Sequence, residues 1–352
     1  MTDQSEEQAM SYQRGWQAIH LEMPEQIPHT EYVTHRQFVL KVTGFDLDNP
    51  EQAAQAGPAL AKALDYDFIW SAYGRDWGTP RTDMGRAKYY ESETPWAASY
   101  PFKTEEEVLA FDPLATANLP TMEELTADVR RAYEAGQAAY PDAVFPGGFY
   151  NSVFTWPILT FGWDLFMTAA MDDPDRFERV LDGFTEISAM VVEAHVRAEV
   201  PIFLCHDDIV WASGPSFSPA WMRRYVFPRL KRLLRPLREA GIKVLFCSDG
   251  NFDAFVDDIA EAGAEGFIFE PLTDLRYIVE RYGQTHVIIG NIDSRILQTK
   301  GPAEIRAEVK RCADLGKACP GYFFAVGNHI PYVVPIPNIE CYLEAIAEYG
   351  KR

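Results

Sequence analysis

Three apolar runs in this sequence each end in side chains that could do chemistry. The groups that follow them are His206, Asp207 and Asp208, then Cys247, Asp249 and Asn251, and finally Asn328 and His329. Thiolate, imidazole and carboxylate groups are zinc ligands, and a carboxylate beside an imidazole can take part in proton transfer. If the three runs are neighbouring strands that end at one edge of a sheet, these side chains share a pocket, which is typical of an enzyme.

Each group also has a structural interpretation. Cys247 could be a small buried core residue, and aspartates such as Asp207 favour turns and helix caps. Asn328 follows a glycine, where a turn forms easily. Cys247 and Asp249 are two residues apart, however, and face the same side of an extended strand, whereas Cys205 faces the side opposite to the next residue. We therefore favour a site role for the first pair and a packing role for Cys205.

Four further polar side chains lie within or at the ends of apolar runs: Asp67, Tyr150, Glu270 and Asn291. Asp67 interrupts the run Tyr66–Trp70, and a buried carboxylate there would need a partner. Cations are available nearby at Arg75, Arg81 and Arg86. Glu270 could instead be a solvated strand end, and Asn291 with Asp293 could belong to a helix N-cap. As pocket residues, all four would bind substrate.

These groups need a scaffold that brings strand ends together, and the apolar runs predict one. The runs cover residues 66–71, 143–150, 201–206, 244–248, 266–270, 287–290 and 322–326, with amphipathic stretches between them. Continuously apolar strands separated by helices indicate a parallel sheet covered on both faces. Seven such runs, with Ile27–Tyr32 as an eighth, predict a closed (β/α)8 barrel, in which catalytic groups lie at the C-terminal strand ends. An open doubly wound sheet is the alternative.

The expected organisation is one α/β domain with an extension. Residues 1–57 form an N-terminal extension that packs on the barrel, and residues 58–352 form the barrel itself. Helical patterns occupy Thr121–Ala139, Asp175–Ala198, Pro219–Ala240, Phe252–Ala262 and Pro302–Leu315. No G-x-G-x-x-G fingerprint follows any apolar run, so the sequence does not predict dinucleotide binding.

The composition of the chain limits the classes of molecule that the protein is expected to bind. The 352 residues carry a net charge of −20, which opposes binding to nucleic acid because a phosphate backbone needs a basic face. The 5 cysteines include no C-x-x-C pair, so we expect reduced thiols. No apolar run approaches the ~20 residues that span a bilayer, and the opening residues are too polar for a signal peptide. We expect a cytoplasmic protein that acts on a small molecule, without a nucleic-acid or membrane partner.

The strand ends and their surroundings resemble the uroporphyrinogen decarboxylase superfamily. It includes the haem-pathway decarboxylase and zinc methyltransferases that pass methyl groups from corrinoid proteins to thiols. The segments that carry the resemblance are His206–Ile209, Gly214–Pro219, Tyr225–Lys231, Val244–Asn251, Gly290–Asp293, Gly327–Pro331 and Pro337–Asn338. The resemblance is good over residues 140–350 and poor before them. It implies a (β/α)8 barrel enzyme, and a homodimer is common in the superfamily.

One departure from that resemblance concerns substrate charge. The haem-pathway decarboxylase has an amino-terminal arginine-rich segment that grips the carboxylates of its substrate. The corresponding region here, Ile27–His35, contains Glu31 and no paired arginines. A highly anionic porphyrinogen would therefore meet unscreened repulsion in this acidic protein.

A second departure concerns the metal. The zinc methyltransferases carry His-x-Cys at the central strand end and a further cysteine near the carboxy terminus. The matching positions here are Cys247, Asp249 and Asn328. The resemblance therefore implies zinc only in an altered three-ligand site, made by Cys247 and Asp249 with either His206 or His329.

We predict a methyltransferase that moves a methyl group between a small methylated substrate and a corrinoid protein, with zinc as a candidate cofactor. The catalytic candidates are Asp207, Asp208 and Asp249, the metal candidates are His206, Cys247 and His329, and the substrate-binding candidates are Asp67, Tyr150, Asn251, Glu270, Asn291 and Asn328. Two alternatives remain open. One is a cofactor-free decarboxylase of a porphyrinogen or a smaller aromatic acid, and the other is a non-catalytic ligand-binding relative.

Overall fold

Parallel strands form the centre of the molecule. The computed structural model describes residues 4–82 and 101–352 of the chain. Its strands are β1 (Gly147–Tyr150), β2 (Ile202–His206), β3 (Val210–Trp211), β4 (Gly214–Pro215), β5 (Lys243–Ser248), β6 (Gly266–Phe269), β7 (Val287–Ile289) and β8 (Tyr322–Phe323). Six of them pair in parallel in the order β1-β2-β5-β6-β7-β8, and β3 pairs with β4 in a short antiparallel hairpin.

Two extended segments close this sheet into a barrel. His29 bridges in parallel to Phe324 beside the last strand, and Phe68 bridges in parallel to Val144 just before the first. The two segments also meet each other, because the backbone N–H of Asp67 donates to the carbonyl of His29 at 2.9 Å. The predicted (β/α)8 barrel is thereby confirmed and the open sheet is excluded, although the segment expected as the eighth strand, within Ile27–Tyr32, is an extended segment with an isolated bridge at His29 rather than a regular strand.

Helices surround the barrel. In the described ranges they are α1 (Gln4–Ile19), α2 (Arg36–Thr43), α3 (Pro50–Ala63), α4 (Glu105–Leu109), α5 (Pro113–Thr116), α6 (Met122–Ala139), α7 (Thr155–Phe161), α8 (Trp163–Asp172), α9 (Pro174–Arg197), α10 (Pro219–Tyr225), α11 (Phe227–Glu239), α12 (Val256–Ala262), α13 (Leu275–Tyr282), α14 (Ser294–Thr299), α15 (Pro302–Gly316) and α16 (Ile336–Tyr349), with a 3-10 turn at Asp253–Phe255. No described helix is long and apolar enough to cross a membrane.

Most predicted helices match these bounds, but one is divided. The pattern Pro219–Ala240 predicted a single helix, and the structure has α10 and α11 with a break at Val226. Pro228 lies in the first turn of α11. Proline has no backbone N–H and is favoured in the first turn of a helix, which agrees with a second helix that begins at Phe227.

The barrel interior is filled by alternate residues of each strand. Leu204, Leu245, Ile268, Ile289 and Phe323 form one buried apolar cluster inside the barrel, together with Ala18 and Ile19 of α1. The residues that alternate with these along each strand, including Phe203 and Cys205, point outward and pack between the sheet and the helices. This period-two alternation confirms the packing role predicted for Cys205 and directs His206 into the barrel mouth.

Candidate functional site

A cavity of about 480 Å³ opens at the C-terminal ends of the strands. Its floor is apolar and includes Leu204, Ile268 and Ile289. Its polar lining contains eight of the residues singled out in the sequence: Tyr150, His206, Asp208, Cys247, Asp249, Glu270, Asn328 and His329. The strand ends thus meet in one pocket, as the sequence predicted.

Three of these side chains approach one another closely enough to share an ion. One ligand atom each from His206, Asp208 and Asp249 lies within 4.8 Å of the other two. The Nε2 atom of His206 is 3.2 Å from Oδ1 of Asp208, and the same Oδ1 accepts the backbone N–H of Asp249 at 2.9 Å. Asp208 therefore connects the end of β2 with the end of β5.

The position of Asp208 is set by a helix that the sequence did not associate with the site. Its backbone N–H donates to the hydroxyl oxygen of Thr155, the first residue of α7, at 2.8 Å. Thr155 was not among the predicted site residues. Its hydroxyl orients the loop after β2, and nothing in its local sequence distinguishes it from an ordinary helix-start threonine.

The loop after β5 is held equally firmly. The N–H of Gly250 donates to Oε2 of Glu270 at 2.6 Å, and the N–H of Asn251 donates to the carbonyl of Trp211 at 3.0 Å. Gly250 has a φ of +86°, and a β-carbon there would lie 2.7 Å from the Trp211 carbonyl oxygen. Glycine is therefore required where this loop turns beneath β3.

Asn328 fulfils both roles that the sequence left open for it. Its φ of +70° is the left-handed conformation of a turn residue. Its side-chain amide also donates to Oδ2 of Asp249 at 2.9 Å, so it orients a pocket carboxylate. His329 contacts the side-chain oxygen of Asn328 through its Nδ1 atom and lines the pocket wall.

Burial and neighbouring charge change the acidity of the pocket groups in different directions. Burial, with the negative charges of Asp208 and Glu270, raises the pKa of Asp249 to about 7. Burial also opposes ionisation of Asp208, but the hydrogen bond and the charge of His206 outweigh it and lower the pKa of Asp208. Burial raises the pKa of the Cys247 thiol. At neutral pH the pocket therefore holds an ionised Asp208 beside Asp249, whose pKa lies close to that pH.

His206 is the group in the pocket whose surroundings favour a positive charge. Burial disfavours its imidazolium form, yet the sulfur of Cys247 and the carboxylate of Asp208 raise its pKa well above the ordinary value. The ring of Tyr150 lies over it, with ring centroids 4.1 Å apart. The imidazole thus contacts a carboxylate through its Nε2 atom and packs beside an aromatic ring that is tilted by 49°.

The structure does not bring Asp207 into the pocket, and its predicted catalytic role is corrected. Its carboxylate is 1% exposed and accepts hydrogen bonds of 2.7–2.9 Å from the Ser152 hydroxyl and from the N–H groups of Val153, Phe154 and Thr155. These donors precede and begin α7, so Asp207 caps that helix. Period-two alternation is the physical reason, since it directs Asp207 outward between two inward-facing neighbours.

Asp67 lies at the other end of the barrel, so its predicted substrate contact is also corrected. Its carboxylate accepts the N–H of His29 at 2.7 Å and forms an ion pair with Arg14, whose Nε atom is 2.6 Å away. The predicted partner Arg75 instead pairs with Asp128, and Arg86 lies outside the described residues. Burial raises the pKa of Asp67 to about 7, although the charge of Arg14 opposes this.

Two asparagines that were predicted to bind substrate lie outside the cavity and hold the loops around it. Asn251 accepts the N–H of Asp253 through its side-chain oxygen at 3.0 Å, which is a turn contact. Asn291 is buried and donates to the carbonyls of Thr273 at 2.9 Å and Glu270 at 3.4 Å, so it holds the loop that carries the pocket carboxylate Glu270. Neither amide lines the cavity, and both predicted substrate contacts are corrected.

The metal-capable group differs from the predicted metal candidates. Cys247 and His329 line the cavity but do not belong to the group of His206, Asp208 and Asp249. The spacing used for Cys247 and Asp249 applies equally to His206 and Asp208, which are also two residues apart and face the same way. That signal was available in the sequence for Asp208 as a neighbour of the imidazole.

Comparison with known proteins gives matches of two kinds. The profile of the family described as "Uroporphyrinogen decarboxylase" matches residues 34–349. Uroporphyrinogen decarboxylase of Thermus thermophilus is 31% identical over 173 residues, 49% of this chain and 48% of that protein. The chain thus aligns with about half the length of this relative. The methylcobamide:CoM methyltransferase MtaA of Methanosarcina barkeri is 26% identical over 274 residues, 76% of this chain and 74% of that protein.

A solved structure supports the fold. A methyltransferase from Methanosarcina mazei superposes with a TM-score of 0.67 at 20% identity, over 96% of this chain and 98% of that one. At this identity the likeness concerns the barrel architecture. The barrel and the superfamily resemblance inferred from the strand ends are both confirmed.

Proposed function

This chain belongs to the uroporphyrinogen decarboxylase family, and we propose that within it the protein is a methyltransferase. In this proposal it moves a methyl group from a small methylated compound to a corrinoid carried by a partner protein. The matched relatives include enzymes named for decarboxylation and one named for methyl transfer. The charge of the pocket is the observation that favours the second group.

Three carboxyl groups, from Asp208, Asp249 and Glu270, face the cavity, and no lysine or arginine is among the described residues that line it. Two like charges about 4 Å apart near a protein surface repel by ~4 kcal/mol. A porphyrinogen that carries several carboxylates would meet this repulsion, which among the described lining residues is offset mainly by the imidazolium of His206. A neutral or cationic methyl compound would not.

The segment that corresponds in position to the decarboxylase's arginine-rich segment stabilises the barrel here. Glu31 is buried, accepts the N–H of Val326 at 3.1 Å and accepts the hydroxyl of Tyr342. It thereby ties the first barrel segment to the strand end that carries Asn328. A buried carboxylate that accepts hydrogen bonds within the barrel cannot bind an anionic substrate as an arginine would. This difference also supports the proposal.

The walls of the pocket fit a small methylated molecule. Tyr32, Trp70 and Tyr150 line the cavity above the apolar floor, and aromatic rings attract both methyl groups and cations. A cavity of about 480 Å³ lies within the size range of small-molecule sites. Binding would place the heteroatom of the substrate near His206 and the paired aspartates, with its methyl group toward the open mouth.

The transfer step is a displacement at carbon. The bond between the methyl carbon and its oxygen, nitrogen or sulfur breaks, and the electron pair stays on that heteroatom. The methyl carbon bonds to the reduced cobalt of the corrinoid, which supplies the new electron pair. A leaving amine departs neutral when the substrate is a quaternary ammonium, while a leaving alkoxide or thiolate takes a proton from the medium.

The residues of this chain orient the reactants in that step. Thr155 fixes the backbone of Asp208, and Asn328 fixes the carboxylate of Asp249. A divalent metal held by His206, Asp208 and Asp249 would act as a Lewis acid toward the leaving heteroatom. The donor set of one imidazole and two carboxylates suits such an ion.

The proposal is tested by incubating the protein with a reduced corrinoid and a panel of methyl ethers, methylamines and methyl thioethers. Methyl transfer changes the visible absorption of the corrinoid, and we expect this change with at least one donor. Asp249→Asn should reduce its rate by about tenfold or more, because an interaction at the reacting atoms is lost. Asn251→Ala, whose side chain lies outside the cavity, is the matched control.

Decarboxylation is the second candidate, because the matched relatives include several proteins named uroporphyrinogen decarboxylase. The same preparation should therefore be incubated with uroporphyrinogen and with small aromatic acids while carbon dioxide is measured. Carbon dioxide release that depends on Asp249, without methyl transfer to any corrinoid, would replace the methyltransferase proposal with this one.

A further inference from the structure

The metal-capable group of the pocket differs in one member from the set that the superfamily resemblance implies, because Asp208 takes the place of Cys247 beside His206 and Asp249. We propose that the chain binds one divalent metal ion through His206, Asp208 and Asp249, in a nitrogen- and oxygen-ligated site that excludes the thiol of Cys247. The site is independent of which reaction the pocket performs. It would hold a first-row divalent ion rather than require a thiolate-bound zinc.

The distances fit a single ion. Metal–ligand bonds to histidine nitrogen and carboxylate oxygen are about 2.0–2.2 Å, so two ligands of one ion are at most ~4.4 Å apart. The three ligand atoms here lie within 4.8 Å of one another without any ion. Closing that difference requires only small side-chain rotations. The sulfur of Cys247 is not part of this group, although the residue lies on the same strand as the segment that carries Asp249.

The ligands are held by partners of the kind that support metal sites. Asn328 donates to Oδ2 of Asp249 at 2.9 Å, and Thr155 accepts the backbone N–H of Asp208 at 2.8 Å. Such partners fix the orientation of a ligand before the ion arrives. Asp208 also accepts the backbone N–H of Asp249 at 2.9 Å, so the two carboxylates cannot move apart independently.

Charge and exposure support an open site. Two carboxylates balance a divalent ion, which relieves the repulsion between Asp208 and Asp249 in the buried cavity. The side chains of His206 and Asp208 are 21% and 26% exposed, so the ion would have protein on one side and the cavity on the other. Three protein ligands with free positions toward a pocket are typical of catalytic rather than structural metal sites.

The ligand types define the class of ion. Imidazole and carboxylate donors suit manganese, iron, cobalt and zinc, whereas thiolates select zinc and other soft ions. Affinity alone will not identify the ion, because nitrogen and oxygen sites follow the same order of metal affinities whatever their function. The ligand set is therefore better tested by spectroscopy than by metal preference.

Cobalt(II) is the probe. The purified protein is stripped with a chelator, checked for folding by circular dichroism, and titrated with cobalt(II). We expect one equivalent to bind, with no sulfur-to-cobalt charge-transfer absorption in the near ultraviolet. This spectrum needs no variant and reports ligand type without any catalytic assay, so it is separate from the test of methyl transfer.

Matched variants assign the ligands. Asp249→Asn and His206→Gln should each weaken cobalt binding by about tenfold or more, since a lost ligand costs at least as much as a lost supporting contact. Asp274→Asn, which changes an exposed carboxylate at the N-cap of α13 outside the cavity, should keep the affinity within about threefold. Cys247→Ser should bind cobalt with the same affinity as Cys205→Ser, which makes the same change on the face of the sheet that points away from the cavity.

Three results would overturn the proposal. A sulfur-to-cobalt absorption that disappears in Cys247→Ser would place the thiolate in the site. Equal cobalt affinity in Asp249→Asn and the wild type would remove that carboxylate from it. Absence of cobalt binding to the folded wild-type protein would mean that these groups serve the substrate directly.

Discussion

The side-chain amide of Asn328 donates to Oδ2 of Asp249 at 2.9 Å, across 79 residues of sequence. The contact joins the end of the last barrel segment to the end of β5, and it lies in the pocket. One oxygen of the carboxylate is engaged by the amide, which leaves the other for a ligand. The orientation of Asp249 therefore depends on a residue that is not itself among the proposed metal ligands.

Asn328→Ala should weaken cobalt binding by about tenfold, because supporting partners of metal ligands typically contribute 10–100-fold to affinity. The free energy of unfolding should fall by roughly 1 kcal/mol, because alanine is disfavoured in the left-handed conformation of this exposed position. Calorimetric titration measures the affinity, and Asn251→Ala is the control of the same type outside the cavity. Unchanged affinity in Asn328→Ala would show that Asp249 needs no such orientation.

Asp207→Asn should destabilise the fold and leave the site chemistry intact in the molecules that remain folded. The carboxylate accepts four buried hydrogen bonds, and an amide would turn N–H groups toward some of those donors. We expect a loss of about 3 kcal/mol in the free energy of unfolding. Asp274→Asn at the exposed N-cap of α13 is the control and should cost ~1 kcal/mol or less. Urea unfolding measures both, and a stable but inactive Asp207→Asn would restore the catalytic role.

The ion pair between Arg14 and Asp67 should matter for stability alone. Asp67→Asn keeps an acceptor for the N–H of His29 but removes the buried partner of the Arg14 guanidinium, which retains its contact with the exposed carboxylate of Asp65. Loss of one member of a buried pair costs ~3–5 kcal/mol. The double variant Arg14→Met/Asp67→Asn should lose less than the sum of the single changes, which a double-mutant cycle measures. Cobalt affinity should stay at the wild-type value in all three, and a drop in Asp67→Asn would place this carboxylate in the functional site.

His195 should make the protein less stable in acid. Its Nδ1 donates to the carbonyl of Val191 at 2.7 Å, and its Nε2 accepts the N–H of Gly148 at 3.2 Å. The neutral ring satisfies both contacts, and burial lowers its pKa from 6.5 to about 4. Since the unfolded chain takes up this proton first, stability is fully present above pH 6.5 and falls between pH 6.5 and 4, by on the order of 3 kcal/mol.

The measurement for His195 is the free energy of unfolding from urea titrations across that pH range. His195→Gln lacks the titrating ring, so the difference between wild type and variant should shrink as the pH falls. A constant difference across the range would show that His195 is protonated in the folded state.

Several features could be predicted because they depend on local pattern. The apolar runs predicted the barrel strands, and the polar residues after them predicted a shared pocket at the strand ends. Helix breaks were less predictable, since the split between α10 and α11 depends on where Pro228 falls within one amphipathic pattern. The domain boundary at residue 58, the cytoplasmic location and the homodimer stay predictions.

Side-chain direction was the weaker part of the prediction. Asp207 and Asp208 are neighbours of the same type, yet one caps a helix behind the sheet and the other faces the cavity. Asp67 and Glu270 both belong to apolar runs, yet they lie at opposite ends of the barrel. When a strand is short, the pattern of apolar residues does not indicate at which end of the strand a polar residue lies.

The strands, the barrel and the reactive groups at one rim could be predicted from the residues alone, because hydrophobic periodicity and strand-to-helix alternation are local properties. The grouping of Asp208 and Asp249 with His206, with Cys247 beside them, becomes visible only in the folded chain. That grouping depends on the stagger of β2 against β5 and on contacts from Thr155 and Asn328, residues distant in sequence. Distances of a few ångströms between strand ends are set by packing, and packing is a property of the whole chain.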